Sequence, residues 1–218
     1  MMVSSQEVNQ SAAKAYVQTV GGAQQKGQLN RDPAQVERVR AIARRLIPET
    51  GTFRQDAPGW KWEVNVITSK EINAWCMPGG KIAVYSGLID KLRLTDDELA
   101  AVMGHEISHA LREHSREKMS KAVPANILVS IVGAVYGQGA SDLGGQTYQL
   151  LVGLPNSREM ETEADRIGVE LAARAGYDPR AAITLWQKMG QTGGNEPPKF
   201  MSTHPSRADR VKDLTKYS

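Results

Sequence analysis

His105 and His109 stand four residues apart in Gly104-His105-Glu106-Ile107-Ser108-His109, with a glutamate directly after the first. On a helix of 3.6 residues per turn they lie about 40° apart, so both imidazoles can reach one metal ion. Glu106 falls on the adjacent flank, beside whatever fills the metal's open position. Two nitrogen ligands and a carboxylate next to a bound water are the working parts of a zinc hydrolase. A solvated helix can carry the same short motif by chance, so the surroundings decide its weight.

Those surroundings read as helix. Thr95 is an N-cap with Glu98 as its capping-box partner, and acidic residues crowd the first turn, where the helix dipole favours them. Leu99, Val102, Met103, Ile107 and Ala110 recur at helical spacing. Residues 95–118 are therefore expected to form one helix with the motif in its partly buried middle. On that helix His114 falls about 140° from His109, off the metal face, and reads as structural or supporting.

A catalytic zinc takes a third protein ligand. Ser157 to Arg166 reads as a second helix, begun by Asn156 or Ser157, with Met160, Ala164, Ile167 and Leu171 on its apolar side. Glu161 and Asp165 share a face of it. Glu161 is then the candidate oxygen ligand, and Asp165 the acceptor that fixes the tautomer of a ligand histidine. Glu159 and Glu163 compete by residue type, although each lies about 160° from Glu161 and is expected to face solvent.

Strand and turn signals precede the motif helix. Trp62 to Ile67 alternates apolar and polar residues, and Asn73–Met77 with Lys81–Tyr85 predicts a hairpin around Pro78-Gly79-Gly80. The hairpin reads equally as plain structure or as an edge that pairs with an extended peptide. His204, before Pro205, is by base rate a turn residue. Cys76 reads as a packed thiol; a single cysteine excludes an internal disulfide.

Asn73 to Ile82, Gly87-Leu88-Ile89, His105-Glu106-Ile107-Ser108-His109, Glu161 with Asp165, and His204-Pro205-Ser206 together resemble the M48 metallopeptidases, in the family's order, over roughly residues 30–218. The family includes CAAX-processing membrane proteases, a heat-shock membrane protease and small periplasmic lipoprotein proteases of Gram-negative bacteria. The resemblance implies an α+β, mainly helical, gluzincin-type domain with a small sheet or hairpin beside the active-site helix. It implies one Zn2+ per chain on His105, His109 and Glu161, with Glu106 as general base. It further implies that His204 stabilises the oxyanion, that Asp165 and Arg210 support the site, and that Asn73 and Ala74 bind substrate.

The implied activity is zinc endopeptidase, acting on unfolded or extended polypeptides in quality control of envelope proteins. A chaperone-like or latent module of the same fold is the alternative, and retention of Glu106 favours the enzyme. The length and the lack of spanning segments are most similar to the periplasmic branch, as an outer-membrane lipoprotein. Met1 to Gln10 has no apolar signal core, so membrane association is expected only through an N-terminal lipid anchor absent from this chain.

The global numbers permit this reading. A chain of 218 residues can bury one substantial core. Residues 1–50 are expected as a helical extension, broken at Gly21-Gly22 and Gly27 and stopped by Pro48, packing on a catalytic domain of residues 51–218. The net charge is +3, but the cationic residues are scattered without interleaved aromatics, which argues against nucleic acid. The apolar run Ile127–Val135 is about half a membrane span and reads as part of a buried helix over 120–136. The Gly-rich stretch Gly137–Gly145 reads as a connector or a lid over the cleft. Two further helices are expected, from Pro179 to Met189 and from Ser206 to Lys216.

Overall fold

The computed structural model describes residues 3–122, 141–192, 197–206 and 209–218. Helix α1 (Ser5–Gln25) starts at a reciprocal cap: the Ser4 hydroxyl accepts from Glu7 N at 3.2 Å, and Glu7 Oε2 accepts from Ser4 N at 2.8 Å. The expected break at Gly21-Gly22 does not occur, because α1 runs through both to Gln25, with Gly27 just beyond the end at φ +64°. A helical glycine costs only about 1 kcal/mol, which the packed neighbouring turns absorb. Helix α2 (Pro33–Glu49) is capped by Asp32 and opened by a proline at its first turn. Pro48 lies inside its last turn, one residue before the end.

The sheet has three strands, β1 (Glu63–Ile67), β2 (Ala74–Met77) and β3 (Lys81–Tyr85), in the order β1-β3-β2. β3 pairs in parallel with β1 and antiparallel with β2. The predicted hairpin is present, and Gly79 and Gly80 turn it with φ of +83° and +85°. A Cβ at Gly80 would meet the Trp62 ring at 2.7 Å, so this position needs glycine twice over. Alternation sorts the strands into two buried faces. Val66, Ala74, Cys76, Ile82 and Val84 join the main core with α2; Ile67, Trp75, Met77, Ala83 and Tyr85 pack with α1 residues such as Val8 and Tyr16.

After α3 (Ser86–Leu92) the chain enters α4 (Asp96–Leu111), whose Thr95 capping box forms as expected. The expected single helix over 95–118 is in fact two. Arg112 closes α4, Glu113 adopts φ +56°, and α5 (His114–Ala122) sets off in a new direction. The left-handed residue is held by its side chain, since the Glu113 carboxylate pairs with Arg54 at 3.2 Å and Arg116 at 2.5 Å. Nothing in the local helical periodicity announces those partners.

Of the stretch Gly137–Gly145, the described part is helical: α6 (Ser141–Tyr148) occupies it, followed by a π-helical turn over Gln149–Gly153. The remainder, with the Ile127–Val135 run and the helix expected over 120–136 beyond Ala122, lies outside the described residues. Helix α7 (Arg158–Arg174) is capped by Ser157, whose hydroxyl accepts from Met160 N at 3.3 Å. Helices α8 (Ala181–Gln191), α9 (Lys199–Thr203) and α10 (Arg210–Tyr217) follow, the last beginning later than the expected Ser206. Among the described residues no helix is long and apolar enough to cross a membrane.

Candidate metal centre and active site

Helices α4 and α7 cross with their backbones nearly touching, and two glycines allow it. A Cβ at Gly104 would lie 2.9 Å from Gly168 O, and one at Gly168 would lie 2.8 Å from His105 N. Any side chain at either position would hold the helices apart. Because they meet so closely, the histidines of α4 and the carboxylates of α7 share one small buried space.

There His105 Nε2 and His109 Nε2 stand 3.1 Å apart. Glu161 faces both, with Oε1 3.2 Å from His109 Nε2 and Oε2 3.5 Å from His105 Nε2. Ligand atoms of His105, His109, Glu161 and His204 all fall within 4.8 Å of one another, and all four residues are buried. Two imidazole nitrogens converging on a carboxylate are a donor set suited to zinc. Glu161 Oε2 makes no aligned hydrogen bond there, although Arg210 Nη2 lies 3.0 Å away. Those observations fit a metal held by His105, His109 and Glu161, with His204 as a fourth donor.

The charges interlock. Burial pushes His105 towards neutrality, but Glu161 and Asp165 outweigh it and raise its pKa to about 9. Burial dominates at His109 and takes its pKa down to about 3. Burial alone would raise the Glu106 and Glu161 carboxyls; neighbouring histidines hold both below the ordinary range.

Asp165 Oδ1 lies 3.0 Å from His105 Nδ1, on the side of the ring away from Glu161 and Nε2. Arg210, 1% exposed, bridges Asp165 Oδ1 at 2.7 Å and Glu161, and lies 3.2 Å above the Trp186 ring. His204 stacks on Phe200 with centroids 4.2 Å apart and is anchored through Nδ1 to Phe200 O at 3.0 Å. Its Nε2 lies 3.1 Å from Glu106 Oε1. That sets it on the Glu106 side of the donor group, where the family resemblance implied an oxyanion contact and the residues alone a turn.

Asn73 and Ala74 line the cleft together with Glu106 and His109. Tyr85 N donates to Asn73 O at 3.1 Å, so by antiparallel alternation Ala74 and Cys76 aim their main-chain groups at the edge away from β3. Ala74 N is occupied by the Asn73 side-chain oxygen at 3.0 Å, and Asn73 Nδ2 donates to Glu71.

Several site residues escaped the sequence. Asn156, read there only as a helix start, donates from Nδ2 to Glu161 Oε1 at 2.8 Å, and no local sequence signal marks that contact. Lys118 lines the cleft, donates to Leu154 O at 2.9 Å, and is lowered by burial to about 8. His114 is brought back beside His109 by the turn at Glu113, with Nδ1 atoms 2.8 Å apart. The 140° separation assumed one continuous helix and does not apply. Glu163 likewise does more than face solvent: it contacts His114 at 3.0 Å and Arg112 at 2.7 Å. Glu159 is exposed, as expected.

Comparison with known proteins agrees with this geometry. The family model "Peptidase family M48" matches residues 33–218. Mitochondrial metalloendopeptidase OMA1 of Arabidopsis thaliana is 42% identical over 72% of this chain and 31% of its own length. Metalloprotease LoiP of Escherichia coli is 28% identical over 79% of this chain and 69% of its own. The β-barrel assembly-enhancing protease of the same bacterium is 29% identical over 85% and 39%. The chain thus spans about a third to a half of the OMA1 relatives it matches. With the match covering most of the sequence and the metal-ligating residue types gathered at one buried point, the chain belongs to peptidase family M48.

Proposed function

We propose that the chain is a zinc-dependent endopeptidase that cleaves extended polypeptide segments. The observation that carries this is the convergence of His105, His109 and Glu161 on one point, with Glu106 buried alongside in the cleft edged by β2. Zinc held there would supply a Lewis acid and a water of near-neutral pKa. Glu106 would take the proton of that water on its carboxylate and deliver it to the departing amine, a transfer worth about 10²–10⁴ in rate. Burial would raise its carboxyl pKa, but His204 and the other two histidines hold it low, so it stands ionised beside them. The edge of β2 would align the substrate by main-chain pairing, which suits unfolded chains of varied sequence. His204 Nε2, beside Glu106, would steady negative charge on the reacting carbonyl oxygen.

A role in envelope protein quality control, as a periplasmic lipoprotein, fits the two Escherichia coli relatives. The mitochondrial relatives, at higher identity, fit the same chemistry in another membrane-bound compartment. A latent, substrate-holding form is favoured by two features. His204 stands among the donors as a fourth group beside His105, His109 and Glu161, and Leu151 and Val152 line the cleft with the β2 residues.

Metal analysis alongside casein cleavage separates these readings. One zinc per chain with cleavage lost in Glu106→Gln establishes the peptidase. One zinc with no cleavage in either protein establishes the latent form, and absence of zinc overturns both.

A further inference from the structure

His109 is the one metal-facing histidine whose second nitrogen meets neither a carboxylate nor a backbone carbonyl. Its Nδ1 instead faces Nδ1 of His114 at 2.8 Å, while His114 Nε2 contacts Glu163 Oε2 at 3.0 Å. Glu163 is in turn anchored by Arg112, 2.7 Å from its other oxygen. Two imidazole nitrogens that close share one proton, and with both rings neutral the Glu163 contact decides which of them donates. His114 Nε2–H donates to Glu163, which leaves His114 Nδ1 as an acceptor. His109 Nδ1–H then donates to His114, and His109 Nε2 keeps its lone pair for the space it shares with His105 and Glu161.

From this arrangement we infer that His114 is a positioning residue for the metal ligand His109, and that Glu163 sets the tautomer of both rings. The inference rests on the metal site of the proposed function and adds how its second histidine is oriented. The left-handed Glu113 is what makes the contact: it ends α4 and returns His114 to the ring one turn behind. His105 has its own carboxylate, Asp165, so the two ligand histidines are held by separate devices on opposite sides of the site. Outer partners of this kind typically change metal affinity by about 10–100-fold.

The test is zinc affinity, read by competition with a chromophoric chelator, together with the visible spectrum of the cobalt-substituted protein. His114→Phe keeps a ring but removes the acceptor, and should weaken zinc binding by about 10–100-fold and alter the cobalt spectrum. His114→Asn places an oxygen near the lost Nδ1 and should recover most of the affinity. Glu163→Gln, on a half-exposed side chain that cannot unfold the protein by its loss, should give a smaller reduction of several-fold. Wild-type affinity in His114→Phe, or equal losses in the Phe and Asn variants, would overturn the inference. A wild-type protein that binds zinc without cleaving casein would refute the peptidase reading and leave these affinities decisive for His114. A wild-type protein that binds no zinc would refute both.

Discussion

Arg210 brings a permanent charge into a site almost without solvent, where Asp165 and Glu161 accept it and Trp186 covers its face. Removing one partner of such a buried group leaves the others uncompensated, at a cost of about 3–5 kcal/mol. Arg210→Leu should therefore lower unfolding stability by that amount in urea titration; a change below about 1 kcal/mol would show the pairing to be dispensable. Asn156→Ala removes the amide that meets Glu161 and His109 and should weaken zinc binding several-fold while the fold persists, as a chelator competition would show. At this scale the sequence was legible wherever one helix carries the pattern. His105, Glu106 and His109 could be read from a single repeat, as could Glu161 with Asp165. Asn156, Lys118 and the true setting of His114 were not, because their partners come from segments far away in the chain or across a turn.

Among the elements, the α4–α7 crossing decides whether there is a site at all. Gly168→Ala would drive a methyl group into the His105 backbone, and overpacking of this kind costs about 1–3 kcal/mol. The expected result is lower stability with weakened zinc binding, since the helices that carry the ligands must separate. Gly190→Ala, with open space around it in α8, should be neutral or gain up to about 1 kcal/mol. Equal behaviour of the two variants would refute the crossing argument. Helix α8 is tied to α4 by Lys188 on Glu98 at 2.6 Å. Burial would raise the Glu98 carboxyl, but Lys188 and the Thr95 and Thr184 hydrogen bonds hold it below 4.5. A depressed carboxyl pKa stabilises the fold fully above the unfolded value and loses that contribution as pH falls through the folded one. The stability gap between wild type and Glu98→Gln should accordingly be widest above about pH 4.5 and shrink in acid. A gap that stayed constant with pH would exclude the ion pair as its source. The hairpin and the caps were legible because turn and cap chemistry is local. The division of α4 from α5 was not, since the residue that breaks it, Glu113, is held in the left-handed region by Arg54 and Arg116.

For the molecule as a whole, a bound metal would be a crosslink between α4 and α7 and should stabilise the fold by mass action. Zinc at a thousand times its dissociation constant adds about 4 kcal/mol, so the melting temperature should rise with zinc and fall with a chelator. A midpoint indifferent to both would mean that the cluster holds no metal. The sheet divides the core into two parts, α2 and α4 on one face and α1 on the other, so the helix bearing the histidines is buried along nearly its full length. That burial favours the neutral form of both ligand-face histidines, and only His105, beside Glu161 and Asp165, is carried back above its ordinary pKa.

Residue types at helical spacing by themselves put His105 and His109 on one helix face with Glu106 at its flank, and Glu161 with Asp165 on a face of another helix, because periodicity of 3.6 maps sequence directly onto a helix face. Strand alternation and the glycine turn likewise determined the hairpin. The tertiary structure alone decided which groups complete the site. It brought Gly104 against Gly168, turned His114 back onto His109, placed Asn156 on Glu161 and sank Arg210 beneath them. These are contacts between segments distant in sequence or separated by a non-helical residue, and they depend on packing distances that no local repeat encodes.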